Sequence, residues 1–425
     1  MYENFDIKKG DIVTITGAGG KTSLMLALAD ELSKFGSVLI TTTTKIYIPS
    51  FDIFEELILD DSVLKGTGEN IVVAGSSIEK DKLFGLSYDK ISLLKQFFDF
   101  VLIEGDGAKE KLLKEWNPNE PCIPPFSNKV IGVINMDILN QTLVEENIHR
   151  FNIFLDKFSN YISKSISKEF LVEYILKAEY FKNSQYDSKY LFFNGIDGED
   201  YLNKFSLAID TCNELTEKEF LPKLILGSIK EKRCYPFVPV TAVVMASGFS
   251  KRMGTDKIKL RYNGMSLLEN VLDKLKFSNF YEIIVCGREK WTKDITAKYN
   301  CKYLENKNAK LGQSESIKLG VMNAHGKAYA FFTADQVLLT TGTIKKLMFN
   351  FEKYGYITIP ASGGERFSPV FFPNDKKNQL LKLKGDIGGK EIIRNTPLIS
   401  LVEFPYADEF MDIDTPDDYS MIVEK

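Results

Sequence analysis

Along this chain the apolar residues gather into short dense runs, set between segments of mixed polarity. Residues 11–16 (DIVTIT) form a β-branched run closed by Gly17-Ala18-Gly19-Gly20-Lys21-Thr22-Ser23, and residues 24–32 continue with the periodicity of an amphipathic helix. Strand, glycine turn and helix open an α/β unit. Further strands are expected at 38–40, 71–73, 98–103 (FDFVLI), 129–134 and 190–193. Runs so continuously apolar suit strands covered on both faces of a parallel sheet. A Lys-, Tyr- and Phe-rich helical stretch is expected from about residue 154 to 182. The texture changes at the charged run Lys230-Glu231-Lys232-Arg233. Pro236 and Pro239 bracket a short passage, and 241–246 (TAVVMA) begins a second strand–glycine-loop–helix unit. Two α/β domains are expected, 1–232 and 238–425.

Composition narrows the chemistry. The chain has 425 residues, 54 basic and 58 acidic, for a net charge of −4. That balance argues against a protein whose main task is to cover nucleic-acid phosphates. With two histidines, His149 and His325, histidine-rich metal sites and most histidine catalysis are disfavoured. The five cysteines are scattered without a CxxC pair, as in reduced thiols of a cytoplasmic protein. No apolar run approaches the roughly 20 residues of a membrane helix, and Met1 leads into polar residues, so neither a membrane nor a secretory segment is expected.

The second glycine loop reads Ala246-Ser247-Gly248-Phe249-Ser250-Lys251-Arg252-Met253-Gly254-Thr255-Asp256-Lys257. Small residues at 246–248 let backbone N–H groups approach a phosphate chain, and a helix start behind them would add favourable dipole charge. Arg252 offers a planar fork to triphosphate oxygens and Lys257 a point charge. The plainer alternative is a tight turn carrying solvated cations.

From this loop onward the chain resembles the MobA-like nucleotidyltransferases, among them the molybdenum cofactor cytidylyltransferases and the accessory proteins of selenium-dependent molybdenum hydroxylases. The loop is similar to that family's A-A-G-x-S-x-R-M-G-x-x-K signature. Downstream, in the family's order, come Gly312-Gln313-Ser314-Glu315-Ser316-Ile317, the apolar strand ending in Asp335-Gln336, Gly385-Asp386-Ile387-Gly388, and Asp412-Ile413-Asp414-Thr415-Pro416-Asp417-Asp418. The resemblance implies a Rossmann-like nucleotidyltransferase (nucleotide-diphospho-sugar transferase) domain. It also implies a donor site of Ala246, Ser247, Gly248, Ser250, Arg252, Gly254, Lys257, Gly312 and Ser314. Arg252, Lys257 and Asp335 would be catalytic, and Asp335 and Asp414 would converge on Mg²⁺ through hard oxygen ligands. Asp412, Asp417 and Asp418 read as capping or solvated groups, with Thr415 as N-cap and Pro416 at the first helical position. Two departures from the pattern stand out. Val337 replaces a proline, and Arg366-Phe367-Ser368-Pro369 stands for R-G-H/N-P, leaving Arg366 and Ser368 as acceptor candidates.

The first glycine loop fits the shortened G-x-x-G-K-T-[ST] form of Mur-ligase-type ATPases, and Ile15 occupies the place of the longer motif's first glycine. Gly17, Gly19, Gly20, Lys21, Thr22 and Ser23 are its nucleotide candidates, in a P-loop-like three-layer domain. Lys21 would reach the β/γ-phosphates, and Thr22 or Ser23 would meet Mg²⁺. Glu104 and Asp106, after the strand at 100–103, have a Walker-B-like layout, and Thr41-Thr42-Thr43-Thr44 offers hydroxyls near the phosphate end. Asn194-Gly195-Ile196-Asp197 is similar to the N-K-x-D base-reading element of GTP-binding proteins, with Gly195 in place of lysine; an Asn-Gly turn explains it equally well. Through GAGGKTS, TTTTKIY, LIEGDGAK and Ile148-His149-Arg150-Phe151, residues 10–230 resemble the YqeC-type accessory proteins of selenium-dependent hydroxylases.

Taken together, the resemblances imply a cytoplasmic protein of molybdenum cofactor maturation. Its C-terminal domain would transfer CMP from CTP to molybdopterin with pyrophosphate release, and its N-terminal domain would bind or hydrolyse ATP or GTP. Molybdopterin or the molybdenum cofactor is the implied partner, together with a molybdenum hydroxylase apoenzyme. Asp256-Lys257 leans instead toward the guanylyl branch. Two other readings stay open: a cofactor carrier or insertion chaperone, and a nucleotidyltransferase for another phosphate acceptor.

Overall fold

The apolar runs of the first half become the interior of one sheet. The computed structural model describes residues 1–50, 53–59, 70–186 and 188–423, which divide into two compact units, Met1–Phe237 and Val238–Lys425. In the first, nine strands are β1 (Ile12–Gly17), β2 (Val38–Thr42), β3 (Glu56–Leu59), β4 (Ile71–Gly75), β5 (Phe100–Glu104), β6 (Lys129–Asn135), β7 (Lys189–Asn194), β8 (Lys223–Ser228) and β9 (Arg233–Pro236). Their order is β9-β8-β7-β6-β1-β5-β2-β4-β3, parallel throughout except for β9 against β8. Alternate residues feed two cores, one on each face. Val13, Ile15, Val38 and Ile40 pack with Leu24, Met25 and Leu28 of α1 (Lys21–Leu32). Ile12, Leu39, Val72 and Val101 pack with Ile91 and Leu94 of α2 (Tyr88–Leu94). Burial on both faces is why these strands lack a polar alternation.

Two expectations fail in this unit. The helical stretch from 154 to 182 is two helices, α3 (Phe151–Phe158) and α4 (Lys168–Lys177). The intervening chain carries the left-handed Ser163 and an isolated bridge from Thr142 to Ser165. The passage after the charged run is also not all linker, because β9 closes the sheet edge and Cys234 enters the core. The last helix of the unit is α5 (Tyr201–Glu217).

The second unit holds β10 (Val240–Ala246), β11 (Glu282–Gly287), β12 (Lys302–Glu305), β13 (Ala328–Thr333), β14 (Ile357–Ser362), β15 (Glu365–Arg366), β16 (Val370–Pro373) and β17 (Ile399–Glu403). Their order is β12-β11-β10-β13-β16-β14-β15, with β17 parallel on β14. The first four are mutually parallel and β16 runs against β13. Helices are α6 (Leu267–Lys276), α7 (Lys290–Lys298), α8 (Gln313–Asn323), α9 (Thr341–Tyr354), α10 (Lys377–Leu381), α11 (Lys390–Arg394) and α12 (Pro416–Val423). In both units the first strand sits where strand order reverses, the position at which open α/β sheets leave a crevice. No helix follows the second glycine loop directly. It leads into a single 3₁₀ turn, Lys257–Lys259, and a two-strand hairpin before α6, so no helix dipole stands behind it.

The start of α6 carries a reciprocal cap: Ser266 accepts from the Glu269 N–H, and the Glu269 carboxylate accepts from the Ser266 N–H. Lys298 and these bonds to Ser266 pull the Glu269 carboxyl down to about 2. Ser266→Ala should therefore cost about 1 kcal/mol in urea unfolding. A folded-state value below the unfolded one stabilises when ionised. The Glu269 contribution is thus expected intact above about pH 4.5 and lost as pH falls toward 2, which Glu269→Gln should abolish.

Candidate functional sites

In the first unit β1 ends at Gly17, whose φ of +98° and contact with the Val133 carbonyl exclude a side chain. The loop then reaches Gly19, whose carbonyl accepts from the Asn135 amide at 3.0 Å and the Asn194 amide at 3.1 Å. These amides, at the carboxyl ends of β6 and β7, hold the loop open from outside. Lys21 folds back over it. Its ammonium donates to the Gly17 carbonyl at 2.9 Å and lies 3.3 Å from Asp106 and 3.5 Å from Glu104. Burial works against that charge, but the two carboxylates outweigh it and hold Lys21 above the usual lysine range. Thr22 donates to Glu104 at 2.7 Å, while Ser23 is exposed. Burial raises the Glu104 carboxyl against the pull of Lys21.

Asp106 does not behave as a free ligand. It has no exposed surface and accepts from the Gly17 N–H at 3.0 Å and the Trp116 indole at 2.6 Å. Lys114, also fully buried, lies 3.0 Å away and extends the network to Glu120 at 3.5 Å, where Arg150 closes it with a two-pronged pair. Lys21, Lys114 and the Gly17 N–H overcome desolvation and keep Asp106 ionised below the usual range. The layout at 104–106 thus divides: Glu104 faces the loop's hydroxyl, and Asp106 is a structural anchor. The Arg150 of the Ile148-His149-Arg150-Phe151 element is part of that anchor. The threonine hydroxyls are engaged too, Thr41 on the Ala74 carbonyl, Thr42 on that of Glu104 and Thr43 on that of Cys122. Asp197 accepts from Ser228 and is not beside Lys21.

In the second unit the loop after β10 is pinned at its start, where the Ser247 hydroxyl donates to the Cys286 carbonyl at 2.7 Å. Ser250 accepts from the Lys257 N–H at 3.1 Å, and Gly254 takes a left-handed φ of +71°. These contacts turn Lys257 back toward the strand ends. Its ammonium donates to Asp335 and, at 2.6 Å, to Asp414, and Arg252 pairs with the other Asp414 oxygen at 2.9 Å. Desolvation opposes the Lys257 charge, yet the two carboxylates hold it above the usual range. The loop, Lys257, Gly312, Asp335 and Asp414 line a cavity of about 410 Å³.

Several loop motifs turn out to be contacts with one another. At Gly312, with φ +108°, a Cβ would stand 2.2 Å from the Gly385 backbone. The Ser314 N–H donates to the Gly385 carbonyl at 3.1 Å, and that of Gln313 to Asp386 at 3.2 Å. The Ser314 hydroxyl is buried without a hydrogen-bond partner among the described residues. Gln336 donates to Ser368 Oγ at 2.7 Å and to the Phe410 carbonyl at 3.0 Å, joining the Asp-Gln element to the acceptor candidates. Ser368, exposed Arg366, Lys390, Arg394 and Asp412 line a second cavity of about 570 Å³, which shares Met245, Gln313 and Thr333 with the first.

Asp412 is exposed, as expected of a solvated group, and it caps no helix: it accepts from Thr333 at 3.0 Å, and partial desolvation, then the charge of Asp335, push its carboxyl up to about 6. The cap belongs to Asp418, bonded reciprocally with Thr415 at the start of α12. Arg288, unremarked in the sequence, lies over the Phe249 ring at 4.6 Å, where only a neighbouring strand end could have signalled it.

Among the described residues no group of three or more His, Cys, Asp or Glu side chains is arranged to hold a metal ion. Mg²⁺ characteristically takes only one or two carboxylates plus substrate phosphates. Asp335 and Asp414 suit that need, since Asp335 Oδ1 is buried with no hydrogen-bond partner among the described residues.

Comparison with known proteins bears on both units. Residues 13–152 match the family model described as YqeC protein, and residues 242–400 that of the MobA-like NTP transferase domain. The chain is 33% identical over 156 residues to "Uncharacterized protein YqeC" of Escherichia coli (strain K12), covering 35% of this chain and 61% of that protein. It is 26% identical over 192 residues to "Probable molybdenum cofactor guanylyltransferase" of Natranaerobius thermophilus, covering 42% and 92%. Among solved structures, Rv0371c of Mycobacterium tuberculosis H37Rv aligns at 19% identity and a TM-score of 0.39, over 44% of this chain and 98% of that one.

Two substitutions probe the anchors. Asp106→Asn takes from buried Lys114 the nearer of its two carboxylates and from Lys21 one of its two, and a loss of about 3–5 kcal/mol is expected in urea unfolding. Gly312→Ala should cost about 2–3 kcal/mol from forced backbone strain and the Gly385 collision, read the same way.

Proposed function

We propose that this chain, a YqeC-type region joined to a MobA-like NTP transferase domain, is a nucleotidyltransferase of molybdenum cofactor maturation. The observation that carries this is the Lys257 ammonium shared by Asp335 and Asp414, with Arg252 beside it, in the cavity under the second glycine loop. Displacing pyrophosphate from an α-phosphorus builds charge on non-bridging and leaving oxygens, and fixed cations stabilise it. Lys257 and Arg252 are those cations, held until then by carboxylates. Asp335 and Asp414 would hold Mg²⁺, which when bound neutralises triphosphate charge. Ser247 and Gly312 fix the loop and the α8 start against which the donor is positioned. Arg366, Lys390 and Arg394, in the adjoining cavity, suit an acceptor that carries phosphate, and molybdopterin is the proposed one.

CTP is the donor favoured by Ala246-Ser247-Gly248, while Asp256-Lys257 and the guanylyltransferase relative favour GTP. In the N-terminal domain, Lys21, Thr22 and Glu104 suit an NTP whose binding or hydrolysis supports maturation of a molybdenum hydroxylase.

Pyrophosphate release with each of four NTPs and molybdopterin tests this. Turnover with one NTP is expected, falling about 100- to 1000-fold in Lys257→Ala with the far-ultraviolet circular dichroism unchanged. Silence with all four would sink the transferase. Lys21→Ala is expected to abolish ATP or GTP hydrolysis by the full chain while leaving pyrophosphate release in place; hydrolysis that survives the change would remove Lys21 from that role.

A further inference from the structure

Asp335 and Asp414, which line the cavity under the second glycine loop, have four carboxylate oxygens between them, and three are engaged by cations of that same loop. The Lys257 ammonium bridges Asp335 Oδ2 and Asp414 Oδ1, and the Arg252 guanidinium takes Asp414 Oδ2 at 2.9 Å. The fourth, Asp335 Oδ1, is buried with no hydrogen-bond partner among the described residues. A divalent cation shared by these two carboxylates would use the oxygens that the ammonium now bridges. The two arrangements exclude each other.

The surroundings make that exclusion hard to evade. Asp414 is fixed through its backbone, since its N–H donates to Asp418 Oδ2 at 3.1 Å at the start of α12. Asp335 stands just beyond β13 and is itself buried. The two cations are held unequally. The Lys257 side chain is 14% exposed and its N–H donates to Ser250, whereas the Arg252 side chain is 72% exposed and meets Asp414 from outside. Asp412, bonded to Thr333, adds a third carboxylate two residues from Asp414. Drawing Lys257 and Arg252 away with nothing in exchange would leave these carboxylates facing one another uncompensated, at high cost outside bulk water.

We propose that Lys257, with Arg252, occupies the seat of the divalent cation as a latch, so that the C-terminal domain admits cation and nucleoside triphosphate only together. The inference rests on the reading of this cavity as the donor site with Asp335 and Asp414 as metal ligands. Triphosphate oxygens are the groups that can draw Lys257 and Arg252 off, and that transfer frees three carboxylate oxygens in one event. Metal-free nucleotide is disfavoured because it strips the carboxylates, and nucleotide-free cation because the ammonium stands in its place. By linkage each ligand then raises the affinity for the other by the same factor.

The test titrates Mn²⁺ alone into the full chain and counts the free ion by electron paramagnetic resonance. Binding that disappears when Asp335→Asn is added belongs to this site. The wild-type chain should show little of it, and Lys257→Met should bind Mn²⁺ at least about tenfold tighter. Arg252→Gln should give a smaller gain, because it frees one oxygen instead of two. Lys251 lines the same cavity but pairs with no carboxylate among the described residues, so Lys251→Met should leave Mn²⁺ binding unchanged. Equilibrium dialysis against Mn²⁺ with CTP or GTP should restore Asp335-dependent binding to the wild-type chain, and its absence with both nucleotides overturns joint entry. A gain in Lys251→Met equal to that in Lys257→Met reduces the effect to general repulsion and overturns the latch. Equal Mn²⁺ binding by wild type and Lys257→Met overturns it too, with the metal site left standing. No Asp335-dependent binding in any chain overturns both. Should Lys257→Met fail to fold, Arg252→Gln measured against Lys251→Met decides.

Discussion

A lysine ammonium drawn out of water must be neutralised, and in each domain the lysine of the glycine loop lies against two carboxylates. Lys21 lies against Glu104 and Asp106, and Lys257 against Asp335 and Asp414. An ammonium taken out of water with no partner would lose its proton or its place. Here it is ionised, buried at Lys21 and half-buried at Lys257, and held within reach of its loop. Much of the surrounding structure serves this arrangement, from the asparagine amides that prop Gly19 to the Ser250 turn that redirects Lys257.

The two domains differ in how far the carboxylates are committed. Asp106 is so thoroughly bonded, to Gly17, Trp116, Lys114 and Lys21, that it fixes the loop instead of offering a free oxygen. Asp335 keeps one buried oxygen with no hydrogen-bond partner among the described residues. In the first domain the other carboxylate, Glu104, accepts from Thr22 and lies 3.5 Å from Lys21.

Legibility in the sequence followed the range of the interactions. Strands buried on both faces announce themselves locally, so β1, β2, β4 to β7 and β10 were all foreseeable from apolar runs, as was the α12 start from Thr415-Pro416. The break between α3 and α4 was not, because residues 159–167 carry neither proline nor glycine and the turn depends on a bridge to Thr142. Asp412 was misjudged for a related reason. Its neighbours in sequence suggest a helix cap, whereas its carboxylate is bonded by Thr333 and shifted by desolvation and then by the charge of Asp335, both residues far back along the chain. Trp116 and Lys114 on Asp106, and Ser228 on Asp197, are likewise partners that no local pattern links.

The wall common to the two C-terminal cavities has a consequence for how such an enzyme can change. Met245, Gln313 and Thr333 line both cavities, and Gln313 is in turn held by the Gly385–Asp386 turn. A substitution that reshapes this partition on one side reshapes it on the other. The two cavities are therefore not separately adjustable, unless a change is confined to residues that line the second alone, such as Lys390 and Arg394.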